Sequence, residues 1–434
     1  MNRTLAAEFV HSLQLPGLPP PDPSRLASFK TDDWERSFEW LQLSGLALLF
    51  WDRLKRSGAE NILPRHVGAR LARNAANNQV RVGEMWREFV SINERLESAG
   101  VSYAALKGFP LVPDYFPDPS LRSFTDYDYL LSYDSIERAG QALESAGYVC
   151  RDRNDSYAVT YSPRSHPPRL IADLDEMYSA GLPREVELHW TLWSEEKVGI
   201  RLKLPGDIMA RARWQEWQGV SFRALGEADA LIYHAMHTFR HLLEGWCRLC
   251  AVYEIAHVLS RRARDADFWK GFRTRIGGCP RLSQVAGVIF ALASRVFQVQ
   301  VPAEVASSTV QTLTPAMALW VERYGTDSAL QNFSADKFSL LLYREFVDDP
   351  RAWRAVRRRR VFLLKWPSRV GEVSGANSSR LSAAGQRFAY LLRLLRFHLP
   401  ASVRYAWELG KWHRRLTRVC GAPSRAWVSR RVAR

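Results

Sequence analysis

Apolar and polar positions alternate with two different periods along the chain, and the change of period marks its organisation. The stretch SLQLPGLPPPDPS breaks any early helix through its prolines. After it, DDWERSFEWLQLSGLALLFWDRLKRSG and RHVGARLARNAANNQVRVGEMWREFVSINERLESAG place apolar residues three and four apart, the spacing of amphipathic helices. The second segment stops at Ala99-Gly100. From there the period shortens. VSYAALKG reads as a short buried strand closing on Gly108, FPLVPDYFP as a proline-marked turn or short helix, and FTDYDYLL as an alternating strand. Asp134 is expected to start a helix, with Glu137 completing a capping box. That helix runs to Gly147, and YAVTY and REVELHW are the next strand candidates.

From about residue 225 the helical period returns in GEADALIYHAMHTFRHLLEGWCRLCAVYEIAHVLSRRA. GEVSGANSSRLSAAG reads as a small-polar linker, and AYLLRLLRFHLPASVRYAWELGKWHRRL as a basic amphipathic helix. The expected class is α+β: a small mixed-sheet core flanked by N- and C-terminal helical regions. The expected divisions are 1–96 helical, 97–220 the α/β core, 221–350 a helical domain completing a cleft, and 351–434 a basic helical tail. No internal repeat is visible.

Composition adds little to this except in its charge. At 47% apolar and 24% charged residues the chain is ordinary for a folded protein. The N-terminal stretch lacks a signal-peptide pattern, and no run reaches the roughly 18 apolar residues of a membrane span, so a cytoplasmic location is expected. Five cysteines suit a reducing compartment better than a disulfide scaffold. Cys247 and Cys250 form one CxxC; a zinc site needs a second pair, and two buried helix residues is the simpler reading. The net charge of +16 is unevenly placed: residues 351–434 hold 21 Lys and Arg against two acids, a net +19, which leaves −3 for the rest. Such a block fits an anionic partner, or a solvated basic face. Aromatics lie among its arginines, including Trp353, Trp366, Tyr390, Phe397, Tyr405, Trp407 and Trp412. They could stack on bases, sit at a membrane interface or form core, core being the default.

The candidate chemistry lies in the core. Asp126 and Asp128, at i and i+2 of a strand, point to one face with backbones roughly 7 Å apart. Carboxylates so placed repel each other unless compensated, and they suit Mg²⁺, a hard cation that keeps positions open for phosphates. In REVELHW, Glu185, Glu187 and His189 share a face, so one acid could complete a three-carboxylate site of the kind that holds two ions. Lys107 beside Gly108 could meet a triphosphate, and Arg122 could do so from the other side. Alternatively, both neutralise the aspartates. His234, His237 and His241 share one side of a helix; binding metal, lining the cleft and packing all remain open.

Taken together, Leu106, Lys107, Gly108, Tyr115, Arg122, Asp126, Asp128 and Leu130, then Val186, Glu187, Leu188, His189 and Trp190, resemble a poorly characterised bacterial nucleotidyltransferase family of the polymerase-beta-like superfamily. The segment with His237, His241, Trp246, Arg248 and Leu249 is similar to that family's downstream region. The resemblance implies that Asp126, Asp128 and Glu187 are catalytic and hold Mg²⁺ or Mn²⁺, with Glu187 a possible base. It further implies that Lys107, Gly108, Arg122, His189 and His237 bind the nucleotide, with ATP the expected NTP. The implied reaction moves a nucleoside monophosphate to an acceptor hydroxyl. Neighbouring natural-product and polysaccharide genes in the family imply a peptide, small molecule or saccharide as acceptor. There is one departure: Phe109 follows Gly108 where most of the superfamily has Gly or Ser. Glu254 stands where an aspartate is expected, and its role is open. The rival readings are a DxD glycosyltransferase and a catalytically degenerate nucleotide-binding module whose basic tail docks RNA or an anionic membrane.

Overall fold

The computed structural model describes residues 2–13, 15, 23–154, 157–165, 173–182, 184–331, 337–361 and 380–420. The chain forms two compact units. The first comprises Met1–Lys197, Leu202–Thr238 and Arg248–Thr312; the second comprises Val198–Arg201, Phe239–Cys247 and Leu313–Arg434. The class is α+β, with helices flanking one mixed seven-stranded sheet.

The sheet belongs to the first unit. Its strands are β1 (Tyr103–Ala105), β2 (Asp126–Leu131), β3 (Tyr148–Asn154), β4 (Ala158–Pro163), β5 (Glu185–His189), β6 (Arg213–Trp217) and β7 (Val220–Ala224), in the order β3-β4-β5-β2-β1-β7-β6. β2 runs antiparallel to β1 and parallel to β5. Of these strands β3, β6 and β7 are not anticipated by the sequence pattern. In β3, YVCRDRN is mostly polar, and β6 is largely exposed, so neither shows an apolar alternation.

The faces of β2 explain its sequence. Tyr127 and Tyr129 pair in register with Val186 and Leu188, and all four are buried. The two tyrosines pack on the helix Arg65–Ser98, where the Phe89 ring lies 6.3 Å from Tyr127 and 6.1 Å from Tyr129. The Tyr127 hydroxyl donates to Glu88 at 2.7 Å, which satisfies a polar group that burial would otherwise penalise. The opposite face carries Asp126 and Asp128 beside Glu185 and Glu187. Further along it, Ala104, Leu106 and Leu130 form an apolar cluster with Leu225 and Tyr233.

Several local expectations need correction. The periodic segment 32–58 is two helices, Thr31–Leu43 and Ala47–Arg56, broken at Gly45, whose φ is +76°. The segment after 225 is likewise two, Glu227–Glu244 and Leu249–Arg261, broken at Gly245 with φ +77°. The capping box at Asp134 does not form: Asp134 lies in a 3₁₀ turn, and the helix Ile136–Ser145 follows with no side-chain cap. The small-polar linker lies outside the described residues over 371–379, while 380–385 already belong to the helix Arg380–Cys420. Among the described residues, no helix is long and apolar enough to cross a membrane.

Candidate active site

The parallel pairing of β2 and β5 sets Asp126 beside Glu185, Asp128 beside Glu187 and Leu130 beside His189. Side chains at paired positions of neighbouring strands share a face. The two acidic alternations, DYD and EVELH, are therefore zipped into one polar strip. Asp128 is fully buried, while Asp126 and Glu187 are each about a third exposed, at 34% and 31%. The strip thus has a closed floor and an open mouth.

Lys107 and His189 compensate the floor. Lys107 Nζ lies 2.9 Å from Asp128 Oδ2 and 3.9 Å from Asp126 Oδ2. His189 Nε2 lies 3.0 Å from Asp128 Oδ1 and 3.2 Å from Glu187 Oε2, bridging the two strands. Burial works against the Asp128 carboxylate, but Lys107 and His189 outweigh it and hold its pKa well below the usual range. Burial also opposes the charge on Lys107, and the two aspartates overcome it, so the amine stays protonated. Burial disfavours charging His189 as well, yet its bonds to Asp128 and Glu187 raise its pKa. Asp126 is the group left over. Burial raises it to about 6; Lys107 opposes this, while repulsion from Asp128 and Glu187 adds to it.

That surplus of negative charge is what a divalent cation would relieve. Asp128, Glu187 and His189 each present a ligand atom within 4.8 Å of the others, the one such group of three among the described residues. With Asp126 at the mouth, the donors are mainly hard carboxylate oxygens, which fit Mg²⁺ or Mn²⁺. Neither the CxxC cysteines nor His237 and His241 join such a group. Cys247 and Cys250 are both buried, Cys250 within a helix and Cys247 in the non-helical segment before it. The His237 ring lies 5.9 Å from Tyr233, and the His241 ring 3.8 Å from Trp246.

The turn after β1 brings Lys107 to the strip. Gly108 has φ +78° and ψ −124°, a conformation that L side chains rarely adopt. No atom lies within 4 Å of an added Cβ there, so backbone conformation rather than space demands the glycine. Phe109 is buried, its ring 5.0 Å from Trp86, 5.3 Å from Phe89 and 5.4 Å from Phe124. Its side chain is therefore core and leaves the glycine turn unobstructed.

Arg122 is held differently from a freely reaching side chain. Its Nε donates to Glu254 Oε1 at 2.6 Å, and its guanidinium lies 5.2 Å from the Phe124 ring centroid. Glu254 also pairs with His234 Nε2 at 2.9 Å. Asn78 donates to the carbonyls of Ser120 and Arg122 at 2.7 and 3.1 Å, fixing the loop that carries the arginine. So Glu254 anchors Arg122, and His234 packs against that anchor.

Sequence reasoning missed Arg81. It lies on the core face of Arg65–Ser98 at three-and-four spacing with Asn74, Asn78, Met85 and Phe89, and it is fully buried. None of its guanidinium nitrogens has a hydrogen-bond partner among the described residues. Burial and the nearby Arg184 push its pKa down to about 10. The available signal was an arginine on the buried stripe of a periodic helix, four residues before Met85 and eight before Phe89.

A family described as uncharacterised nucleotidyltransferase matches residues 30–298. The chain belongs to this family. No curated protein and no solved structure matches it. The match takes in the helix Arg65–Ser98, the sheet and the helix Leu249–Arg261, and so every residue of the acidic strip together with Lys107 and His189. Membership in this nucleotidyltransferase family makes nucleotidyl transfer the supported class of activity. The helix Arg380–Cys420 falls outside the matched residues.

Proposed function

We propose that the protein is a Mg²⁺-dependent nucleotidyltransferase that moves a nucleoside monophosphate from an NTP, with ATP the expected donor, to an acceptor hydroxyl. The observation that carries this reading is the alignment of Asp126, Asp128 and Glu187 on one sheet face with Lys107 2.9 Å from Asp128. In the proposed reaction the acceptor oxygen attacks the α-phosphorus, the bond to the pyrophosphate oxygen breaks, and pyrophosphate leaves. Asp126, Asp128 and Glu187 would hold the metal, whose charge stabilises the phosphates and favours ionisation of the acceptor hydroxyl.

The chain's own residues have the remaining roles. Glu187, at the open mouth, is the base proposed to take the hydroxyl proton; its neighbour His189, 3.2 Å away, is positioned to orient it. Gly108 lets the backbone approach the phosphates, and Lys107 supplies positive charge beside them. Arg122, oriented by Glu254, adds charge from the second side. A glycosyltransferase has no use for the Lys-Gly turn, and the complete carboxylate set argues against a degenerate binding module. The acceptor class proposed is a peptide, small molecule or saccharide in a natural-product or polysaccharide pathway, and the location proposed is cytoplasmic.

The test is transfer from NTPs labelled at the α or the γ phosphate, with Mg²⁺ and a panel of such acceptors. Label from the α position on the acceptor, with release of pyrophosphate, is the expected result. Label from the γ position on the acceptor would overturn nucleotidyl transfer in favour of phosphoryl transfer.

A further inference from the structure

The helix Arg380–Cys420 carries a feature that the proposed chemistry does not use. Its inward stripe is Ala401, Tyr405, Glu408, Trp412 and Leu416, all buried. Trp412 packs 5.8 Å from the Tyr324 ring, and Tyr324 donates to Glu408 at 2.7 Å. At about 100° per residue, the opposite side presents Leu395, Leu399, Val403 and Trp407. These are 57%, 60%, 62% and 68% exposed. Four large apolar side chains spaced four residues apart and facing solvent is a pattern that folding of a single chain does not favour.

The same face is cationic. The helix holds nine Lys and Arg and one acid, and that acid, Glu408, is turned inward to Tyr324, Arg415 and Lys411. Arg396, Arg404, Arg414 and Arg418 are exposed around the apolar stripe. Lys411 Nζ lies 3.1 Å from the centroid of the Trp407 ring, so the indole carries a cation at its face.

We propose that this face is a peripheral docking surface for an anionic lipid bilayer. The helix lies in the interfacial plane, with the apolar stripe among the acyl chains and the arginines and lysine at the headgroup phosphates. Each half of the pattern rules against another occupant. A second copy of the chain would bring two arginine-rimmed stripes together with no exposed acid on either helix to neutralise them. A single-stranded nucleic acid calls for aromatic faces along a basic groove, whereas three of the four stripe residues are aliphatic. A bilayer uses both the aliphatic stripe and the cationic rim. This inference is independent of the nucleotidyltransferase reading.

The experiment is co-sedimentation of the full chain with vesicles of phosphatidylcholine alone, or mixed with phosphatidylglycerol. The comparison set is the wild type, Leu399→Ser/Val403→Ser/Trp407→Ser, and Arg404→Gln/Arg414→Gln/Arg418→Gln. All six positions are solvent-facing, so unchanged thermal unfolding is the control for the fold. The wild type is expected to sediment with the mixed vesicles only, less so at high salt. Both variants are expected to lose at least tenfold in partitioning. No sedimentation with either vesicle, equal sedimentation with pure phosphatidylcholine, or retention in either variant overturns the proposal. Self-association abolished by the serine substitutions, without vesicle binding, would assign the face to a second copy. Salt-sensitive RNA binding without vesicle binding would assign it to nucleic acid.

Discussion

Asp126→Asn separates the stability of the acidic strip from its function. The Asp126 carboxyl is raised from 3.8 to about 6 by burial, with Lys107 opposing and Asp128 and Glu187 adding to the shift. A raised acid destabilises the folded state once it ionises. The cost is absent below the unfolded pKa near 3.8, grows as pH rises, and is complete above about 6. About two pKa units correspond to roughly 3 kcal/mol. The side chain is 34% exposed, so solvent screening reduces this to about 1–2 kcal/mol. In chelator at pH 8, urea unfolding should therefore show the asparagine variant more stable than the wild type by that amount. The gain should shrink as pH falls through 6 towards 4. Millimolar Mg²⁺ or Mn²⁺ should stabilise the wild type and the variant less so, narrowing the gap. An asparagine variant less stable than the wild type at pH 8 in chelator would refute the charge-crowding argument.

Other perturbations test neighbouring parts of the site. Lys107→Met strips the buried Asp128 carboxylate of its closest cation and should cost about 3 kcal/mol or more; adding Asp128→Asn should restore most of it in a double-mutant cycle read by urea unfolding. Gly108→Ala meets no steric obstacle, so its cost should be the conformational one alone, about 1–3 kcal/mol. A much larger loss in urea unfolding would mean that the turn is packed. Glu254→Gln weakens one charge-assisted hydrogen bond to Arg122, worth about 1.5–3 kcal/mol, and should raise the KM for NTP about tenfold with a smaller change in kcat. An unchanged KM would confine Arg122 to a structural role.

The acidic strip was legible in the sequence because its signal is local. Alternation within DYDY and EVELH fixes which side chains share a face, and the parallel register of β2 and β5 then brings the two sets together. The partners were less legible, because they come from distant elements. Arg122 meets Glu254 across 132 residues, and nothing near Glu254 announces it. His189 is expected on the face of Glu187 and, through the resemblance, at the nucleotide, but its contacts with Asp128 and Glu187 appear only in the structure. β6 and β7 escaped because an edge hairpin with one exposed strand carries little apolar pattern. Helix breaks at Gly45 and Gly245 escaped because the apolar period continues across them. In the basic tail, Tyr405 and Trp412 are core, as the default for such aromatics holds, whereas Trp407 is exposed. Trp366, which lies outside the described residues, and Tyr390 and Phe397, whose side chains do, complete that set of candidates together with Trp353.

The central claim is that the strip at Asp126, Asp128 and Glu187 receives an NTP together with a divalent cation. Calorimetric titration of ATP, GTP, CTP and UTP in Mg²⁺, with the wild type and with Asp126→Asn/Glu187→Gln, tests it most directly. The expected result is Mg²⁺-dependent binding of at least one NTP to the wild type and its loss in the double variant, with the variant still folded. Binding that survives in the folded double variant, or no binding of any NTP to the wild type, would contradict the claim.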